Sequence, residues 1–322
     1  MKLVTVHLNT VIPEDYHGKR LDQTLAELFP DYSRERIKTW ILAGNCLVDG
    51  QSKRPRDLVI GGEVVVVNAE VAEHTAWQAE DLAAFLEIVY EDADIIVINK
   101  PMNCVVHPGS GNATGTLVNA LLQHAPELKN IPRAGIVHRL DKDTTGLMVV
   151  ARSLPAHTSL VEQLQQRQVQ RGYEAIVNGL MISGGKVDEP IGRSANNRVK
   201  MAVVHSGGKP AVTHYRVLNK FRMHTHIAVQ LETGRTHQIR VHMEHIRHSI
   251  VGDKVYGRLR LAKGVSHELN EAIRTFPRQA LHAKKLGLIH PVSGEEMLWE
   301  VPLPADMRAL LKLLHADVKA VK

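Results

Sequence analysis

Cysteine is almost missing from this chain: its 322 residues contain two, Cys46 and Cys104. Two cysteines cannot build a disulfide framework, and without a Cys-x-x-Cys pair they do not suggest a zinc site. Aromatic residues are scarce at 4%, which argues against the broad base-stacking platforms of single-strand binders. No stretch approaches the roughly 18 uninterrupted apolar residues of a membrane span. Residues 1–10 lack the apolar core of a secretory signal. Repeats and low-complexity tracts are absent as well. These absences lead us to expect a globular protein without membrane contact, in a reducing, cytoplasmic setting.

What is present is ordinary in bulk and uneven in charge. Hydrophobic residues make up 44% and charged residues 23%, enough for a sizeable core in two domains or one domain with an appendage. Lys plus Arg outnumber Asp plus Glu by 40 to 34, a formal charge of +6. Residues 1–100 hold 10 basic and 17 acidic side chains, so residues 101–322 hold 30 and 17, an excess of +13. That asymmetry points to a polyanionic partner for the C-terminal two-thirds.

Residues 1–73 read as a compact unit of two helices and a small sheet. Leu21, Leu25 and Leu28 recur at helical spacing. Asp31-Tyr32-Ser33 breaks the pattern, and Ser33 suits the N-cap of a second helix with Ile37, Trp40 and Ile41 as its apolar stripe and Gly44 as its stop. CLVDG, with an Asp49-Gly50 turn, and GGEVVVVNA read as strands. Residues 74–86 are acidic and without period, and read as a linker. Residues 87–322 form the second domain. Strands are expected in residues 88–100, 146–152, 173–181, 214–221, 226–233 and 279–291. Helices are expected over 116–123, 154–168 and 236–248, and the chain ends in a C-terminal tail. Strands outnumber helices and many connections are short, so the expected class is α+β with a largely antiparallel sheet, not a doubly wound fold.

Chemistry concentrates in two places. In AGIVHRLDKDTTGLMVVA, residues 134–151, two apolar runs flank His138, Arg139, Asp141, Lys142, Asp143, Thr144 and Thr145. A strand ending in a charged loop and returning as a buried strand presents a carboxylate on a rigid base. The same residues would also suit a solvated turn whose Asp143 and threonines bond their own backbone. In LETGRTHQIRVH, residues 231–242, Arg235, His237 and Arg240 crowd a strand-to-helix junction at Gly234. Thr236 could cap that helix. Arg240, about a turn in, could face back toward a carboxylate or simply lie in water. His242, His245 and His248 lack the i, i+4 spacing of zinc hydrolases, so no metal is expected. His224 and His226 alternate on a strand and read as surface or RNA-facing. Tyr173, two residues after Arg171, reads as a half-buried strand tyrosine.

The ordered set VYEDADIIVINKP, VVHPG, HRLDKDTTGL, RGYEAIVNG, KPAVTHY, ETGRTHQIRVHM, GDKVYG and QALHA resembles the RluA-type pseudouridine synthases, from about residue 88 to 313. Residues 18–50 resemble an S4 RNA-binding domain. The resemblance implies an isomerase that turns uridine in RNA into pseudouridine: the N1–C1′ bond breaks, uracil turns, and C5 bonds to C1′. No cofactor and no metal are implied. Asp141 aligns with the family's essential aspartate, as nucleophile, as partner of a cationic sugar, or as base in a glycal route. Arg240 aligns with its basic partner and Tyr173 with the active-site tyrosine beside the target base. Arg139 aligns with the residue that fills the gap left by a flipped nucleotide. His138, Arg235 and His237 are further RNA-binding expectations, as are Arg34, Arg36, Lys38, Lys53 and Arg54 on the S4-like segment. The implied partner is 23S ribosomal RNA, at the helix 69 stem-loop within an assembling large subunit, met by a monomer. Two other readings stand beside this one. DKDTT, residues 141–145, also fits the D-x-D-x-T pattern of haloacid-dehalogenase-type phosphatases, which need a parallel core and magnesium. A non-catalytic RNA-binding assembly factor is the other.

Overall fold

The computed structural model describes residues 3–320 apart from 30–31, 33, 73–78, 81, 83–84, 109–113, 195–196, 198–199 and 258–264. Ser33, expected as an N-cap, and much of the expected linker 74–86 lie outside the described residues. The chain forms two compact units, Met1–Trp77 and Gln78–Lys322.

The first unit contains β1 (Leu3–Val11), α1 (Leu21–Leu28), α2 (Arg34–Leu42), β2 (Cys46–Val48), β3 (Gln51–Ser52) and β4 (Val64–Ala72). The strands form one antiparallel sheet in the order β1-β4-β2-β3. The apolar stripes of both helices close over it: Leu21, Leu25, Ile37, Trp40 and Ile41 are buried with Val65 and Val67. β1 was not among the expected strands. It pairs with β4 from Leu3↔Ala72 to Val11↔Val64, so its place is set by a partner some sixty residues away, not by local pattern.

The second unit begins with β5 (Ile88–Glu91), β6 (Ile95–Lys100), α3 (Leu117–His124), β7 (Thr145–Ala151), α4 (Leu154–Gln165) and β8 (Gln170–Asn178). Then come β9 (Gly185–Asp188), β10 (Ile191–Arg193), β11 (Met201–Val203), β12 (Val212–Lys220) and β13 (His224–Leu231). It closes with α5 (Gln238–His245), α6 (His267–Arg274), β14 (Leu281–Ile289), β15 (Glu296–Glu300) and α7 (Ala305–Lys319). The main sheet runs β5-β6-β7-β14-β8-β13-β12-β9, with β15 on β14. Every pairing in it is antiparallel except β7 with β14. The expected antiparallel-dominated α+β character is therefore present. The C-terminal tail is corrected: residues 305–319 form α7, which buries Met307, Leu310 and Leu314.

The single parallel pair positions the site. Gly146 at the start of β7 lies beside Ala283 of β14, which lies beside Tyr173 of β8. Neighbouring strands sit roughly 4.8 Å apart, so the loop before β7 and Tyr173 are about 10 Å apart across the sheet. Gly146 has φ 114°, and a Cβ there would stand 2.2 Å from the Ala283 carbonyl oxygen, so only glycine allows the approach.

Candidate active site

The loop before β7 is held from inside the protein. Thr144 N–H closes a turn onto the Asp141 carbonyl at 3.1 Å. Lys100, fully buried, donates to the carbonyls of Pro101, Cys104 and Lys142 at 2.9, 3.0 and 2.9 Å. Burial pushes its pKa down to about 8, against the pull of Cys104, Asp143 and Asp141. Arg278 donates from Nη1 to the carbonyls of Asp143, Gln279 and Leu281, while its other edge grips Asp306 of α7 at 2.8 and 2.9 Å. Gln279 donates to the Thr144 hydroxyl at 3.0 Å. The Thr144 turn, Lys100, Arg278 and Gln279 thus fix the backbone that carries Asp141. Asp143 enters this scaffold through its carbonyl oxygen.

Arg240 reaches Asp141 from α5. The helix leaves a left-handed His237 (φ 56°), and Thr236 is not its cap. Instead the Gln238 side chain accepts from the Arg235 N–H at 3.0 Å and the Thr233 hydroxyl at 2.7 Å, and donates to the Val212 carbonyl at 2.9 Å. A side chain inside the first turn ties down the approach to the helix, and this requires no Ser or Thr at the cap position. Arg240 then donates from Nε and Nη2 to both oxygens of Asp253, at 2.7 and 3.0 Å, and from Nη1 to Asp141 Oδ2 at 2.9 Å. The Asp253 carboxylate has no exposed surface, whereas that of Asp141 is 20% exposed. Asp253 also accepts the N–H groups of Val255 and Tyr256. Burial opposes both charges, but each raises or lowers the other's pKa enough to win: Arg240 moves up and Asp253 moves down. The Tyr256 ring covers the guanidinium at 5.0 Å. Asp253 therefore anchors the cation, and the cation's remaining N–H aims the open carboxylate.

Tyr173 is 7% exposed. Burial pushes its pKa up; Arg171 pulls the other way, and Asp141 adds to the rise. Arg171, also 7% exposed, lies on the same face of β8 two residues earlier. Its Nη1 would stand 2.7 Å from a Cβ at Gly234, so the guanidinium lies close over that backbone. Arg171, Asp253 and Tyr256 were not singled out as site residues from the sequence.

The other expected residues divide. His237 Nε2 lies 3.9 Å from Asp141 Oδ1, and Arg139 is exposed beside the loop. Arg235 is exposed and its Nε donates to the Pro210 carbonyl at 3.1 Å. His138 turns its Nε2 inward to accept the Val149 N–H at 3.1 Å, and burial with nearby Arg171 pushes its pKa down to about 3. Only its Nδ1–H is then left to offer. His224 and His226, expected at the surface or facing RNA, are buried at 2% and 6%, and His226 pairs with Glu174 at 2.7 Å. Both sides of this sheet are covered here, so alternation along β13 does not mark a solvent face. In the first unit Arg34 is bound to buried Asp22, and Lys53 to Glu63 at 2.5 Å. Lys38 lies 3.6 Å from Glu35, and Arg54 is exposed. Among the described residues the His and carboxylate groups that converge are Asp92, Asp94 and His290. Asp92 already accepts from the Tyr90 hydroxyl, the N–H groups of Asp94 and Ile95, and His290.

An antiparallel-dominated sheet with a carboxylate loop braced by a buried Arg–Asp pair removes the phosphatase reading, which needs a parallel core. Residues 94–245 match the family model described as RNA pseudouridylate synthase. The chain belongs to the RNA pseudouridylate synthase family, with the RluA-type motifs, and is an RNA-modifying isomerase. It is 56% identical over 319 residues to ribosomal large subunit pseudouridine synthase D of Escherichia coli strain K12, spanning 98% of this chain and 97% of that one. It is 57% identical over 310 residues to the protein of the same name from Pseudomonas aeruginosa, spanning 96% of each. Among solved structures it is similar to human RNA pseudouridylate synthase domain containing 4, with TM-score 0.55 and 29% identity over 71% of this chain and 92% of that one. It is also similar to human RNA pseudouridylate synthase domain containing 1, with TM-score 0.53 and 26% identity over 72% and 95%.

Proposed function

We propose that this protein converts uridines of 23S ribosomal RNA to pseudouridine, in the helix 69 stem-loop of an assembling large subunit. The shared guanidinium carries the reading: Arg240 is neutralised by buried Asp253 and still presents one N–H to Asp141. In this mechanism the target nucleotide leaves the stack, because C1′ and N1 are unreachable inside it. Arg139 fills the gap, and Tyr173 lies against the flipped base. The Asp141 carboxylate acts at C1′ while the N1–C1′ bond breaks, and the base turns to bond through C5. The hydrogen on C5 ends on N1, so nothing is gained or lost and no cofactor is required. Residues 1–73 act as an S4-type RNA-binding unit, residues 74–86 as its linker and residues 87–322 as the catalytic unit. In the first unit Arg36, Lys38 and Arg54 contact RNA, while Arg34 and Lys53 organise its surface through Asp22 and Glu63. The protein works as a cytoplasmic monomer.

Asp141→Asn keeps the side chain's shape and removes its charge. It should bind the stem-loop RNA and form product several orders of magnitude more slowly. Asp143→Asn, whose backbone carbonyl does the holding, should keep substantial activity. A dead Asp143→Asn beside an active Asp141→Asn would overturn the assignment. Mapping pseudouridines in large-subunit RNA from cells lacking the gene tests the substrate: loss confined to another RNA would remove the ribosomal reading.

A further inference from the structure

The His237 imidazole is the polar group of the site with the least settled role. Its Nδ1 lies 2.8 Å from the Tyr256 hydroxyl, and that hydroxyl also accepts the Met201 N–H at 2.9 Å. A phenol has one hydrogen. Met201 takes one lone pair of the oxygen, and directing the hydrogen at Nδ1 completes the hydroxyl's bonding with one bond accepted and one donated; in that arrangement Nδ1 is the acceptor and the ring proton sits on Nε2. The other side of the ring gives the same tautomer. Nε2 faces Asp141 Oδ1 at 3.9 Å, where a lone pair would be repelled by the carboxylate and an N–H attracted. Burial lowers the His237 pKa despite the pull of Asp141, so the ring is neutral near pH 7. At 3.9 Å the N–H is too far to be spent on Asp141. Oδ2 of that carboxylate is already held by Arg240. A neutral donor therefore points, unspent, into the space beside Oδ1, and the ring is one quarter exposed.

The reaction proposed above creates a need at that place. When the N1–C1′ bond breaks, its electron pair goes to the uracil and spreads over N1, O2 and O4, while the electron deficit at C1′ is met by Asp141. A neutral N–H donor favours the anionic base without competing for the charge of Asp141, as an imidazolium would. We propose that His237, held by Tyr256 in the Nε2–H tautomer, donates a hydrogen bond to the uracil as the glycosidic bond breaks. His237 is then a catalytic residue and Tyr256 its positioning residue. The proposal rests on the reading of Asp141 as the group at C1′.

Two substitutions at one position test it, because the backbone of His237 is left-handed and asparagine tolerates that conformation. His237→Asn fits the backbone but falls short of the Nε2 position. His237→Gln reaches that position with an amide N–H. Single-turnover rates and RNA affinity are measured on a prefolded stem-loop. His237→Asn should lose roughly 10- to 100-fold in rate with affinity little changed, and His237→Gln should recover most of it. Nitrogen-15 NMR of histidine-labelled protein should show the proton on Nε2 of His237, and Tyr256→Phe should mix the two tautomers and slow the reaction. A wild-type rate in His237→Asn, a proton on Nδ1, or an unchanged tautomer in Tyr256→Phe would each overturn it. Asp141→Asn is measured in parallel. If it stays active, the reading of Asp141 fails, and the NMR result still reports on His237 by itself.

Discussion

Asp141 and Asp253 hold the same guanidinium but differ in exposure, and this separates what their loss does. In Asp141→Asn, Arg240 keeps both bonds to Asp253, so thermal unfolding should show a stability cost of about 1 kcal/mol or less. Asp253→Asn leaves the buried cation with only the partly exposed Asp141 carboxylate as a charged partner, and removing one member of such a pair costs about 3–5 kcal/mol. The expected signature is an inactive but stable Asp141→Asn and an Asp253→Asn whose Tm falls by several degrees. Equal melting temperatures would mean that Asp253 is not the anchor. Asp141, Arg240 and Tyr173 were legible because each stands inside a dense motif. Asp253 and Tyr256 were not, although GDKVYG was in view. Their meaning lies in reaching back 13 and 16 residues to Arg240, and no local pattern encodes that pairing.

At the scale of elements, the strands with continuous apolar runs were legible. β7 is buried along all seven residues, and GLMVVA reads that way without a structure. α7 was missed although Met307, Leu310 and Leu314 have helical spacing. In the structure Pro304 stands at the N-cap, where no intrahelical N–H is needed. The helix has work beyond packing against α6, since Asp306 grips the arginine that holds the Asp143 carbonyl. Leu314, 1% exposed, is part of the buried face of this helix, and Leu314→Ala opens a cavity there that should cost about 2–5 kcal/mol. A Tm unchanged from wild type would show that the helix is dispensable to the second unit.

For the whole molecule, composition announced the charge asymmetry, and it bears on RNA affinity. With an excess of +13 on residues 101–322, binding to a stem-loop should fall steeply with salt. A flat response would place that charge away from the RNA. Buried histidines were not legible in composition, and they govern acid stability. His224 and His282 are 2% and 1% exposed, and burial pushes both pKa values down to about 4. Above the unfolded value of about 6.5 neither state holds the proton, so nothing is lost. Below it the unfolded chain takes up protons that the folded chain refuses, and stability falls until the pH nears 4. Melting temperature should therefore drop between pH 7 and pH 5. A Tm that rose over this range would contradict the burial of these rings.

The parallel pairing of β7 with β14 also sets a schedule. Asp141 is synthesised long before much of its bracing, because Arg278, β14 and Asp306 follow in the last seventh of the chain. At roughly 5–20 residues per second, some ten seconds or more of translation separate the carboxylate from its final support. A nascent or prematurely terminated chain can carry every motif from residue 138 to 242, with Lys100 in place, and still lack the Arg278 and Asp306 side of the brace. The loop is fully braced only once α7 is made.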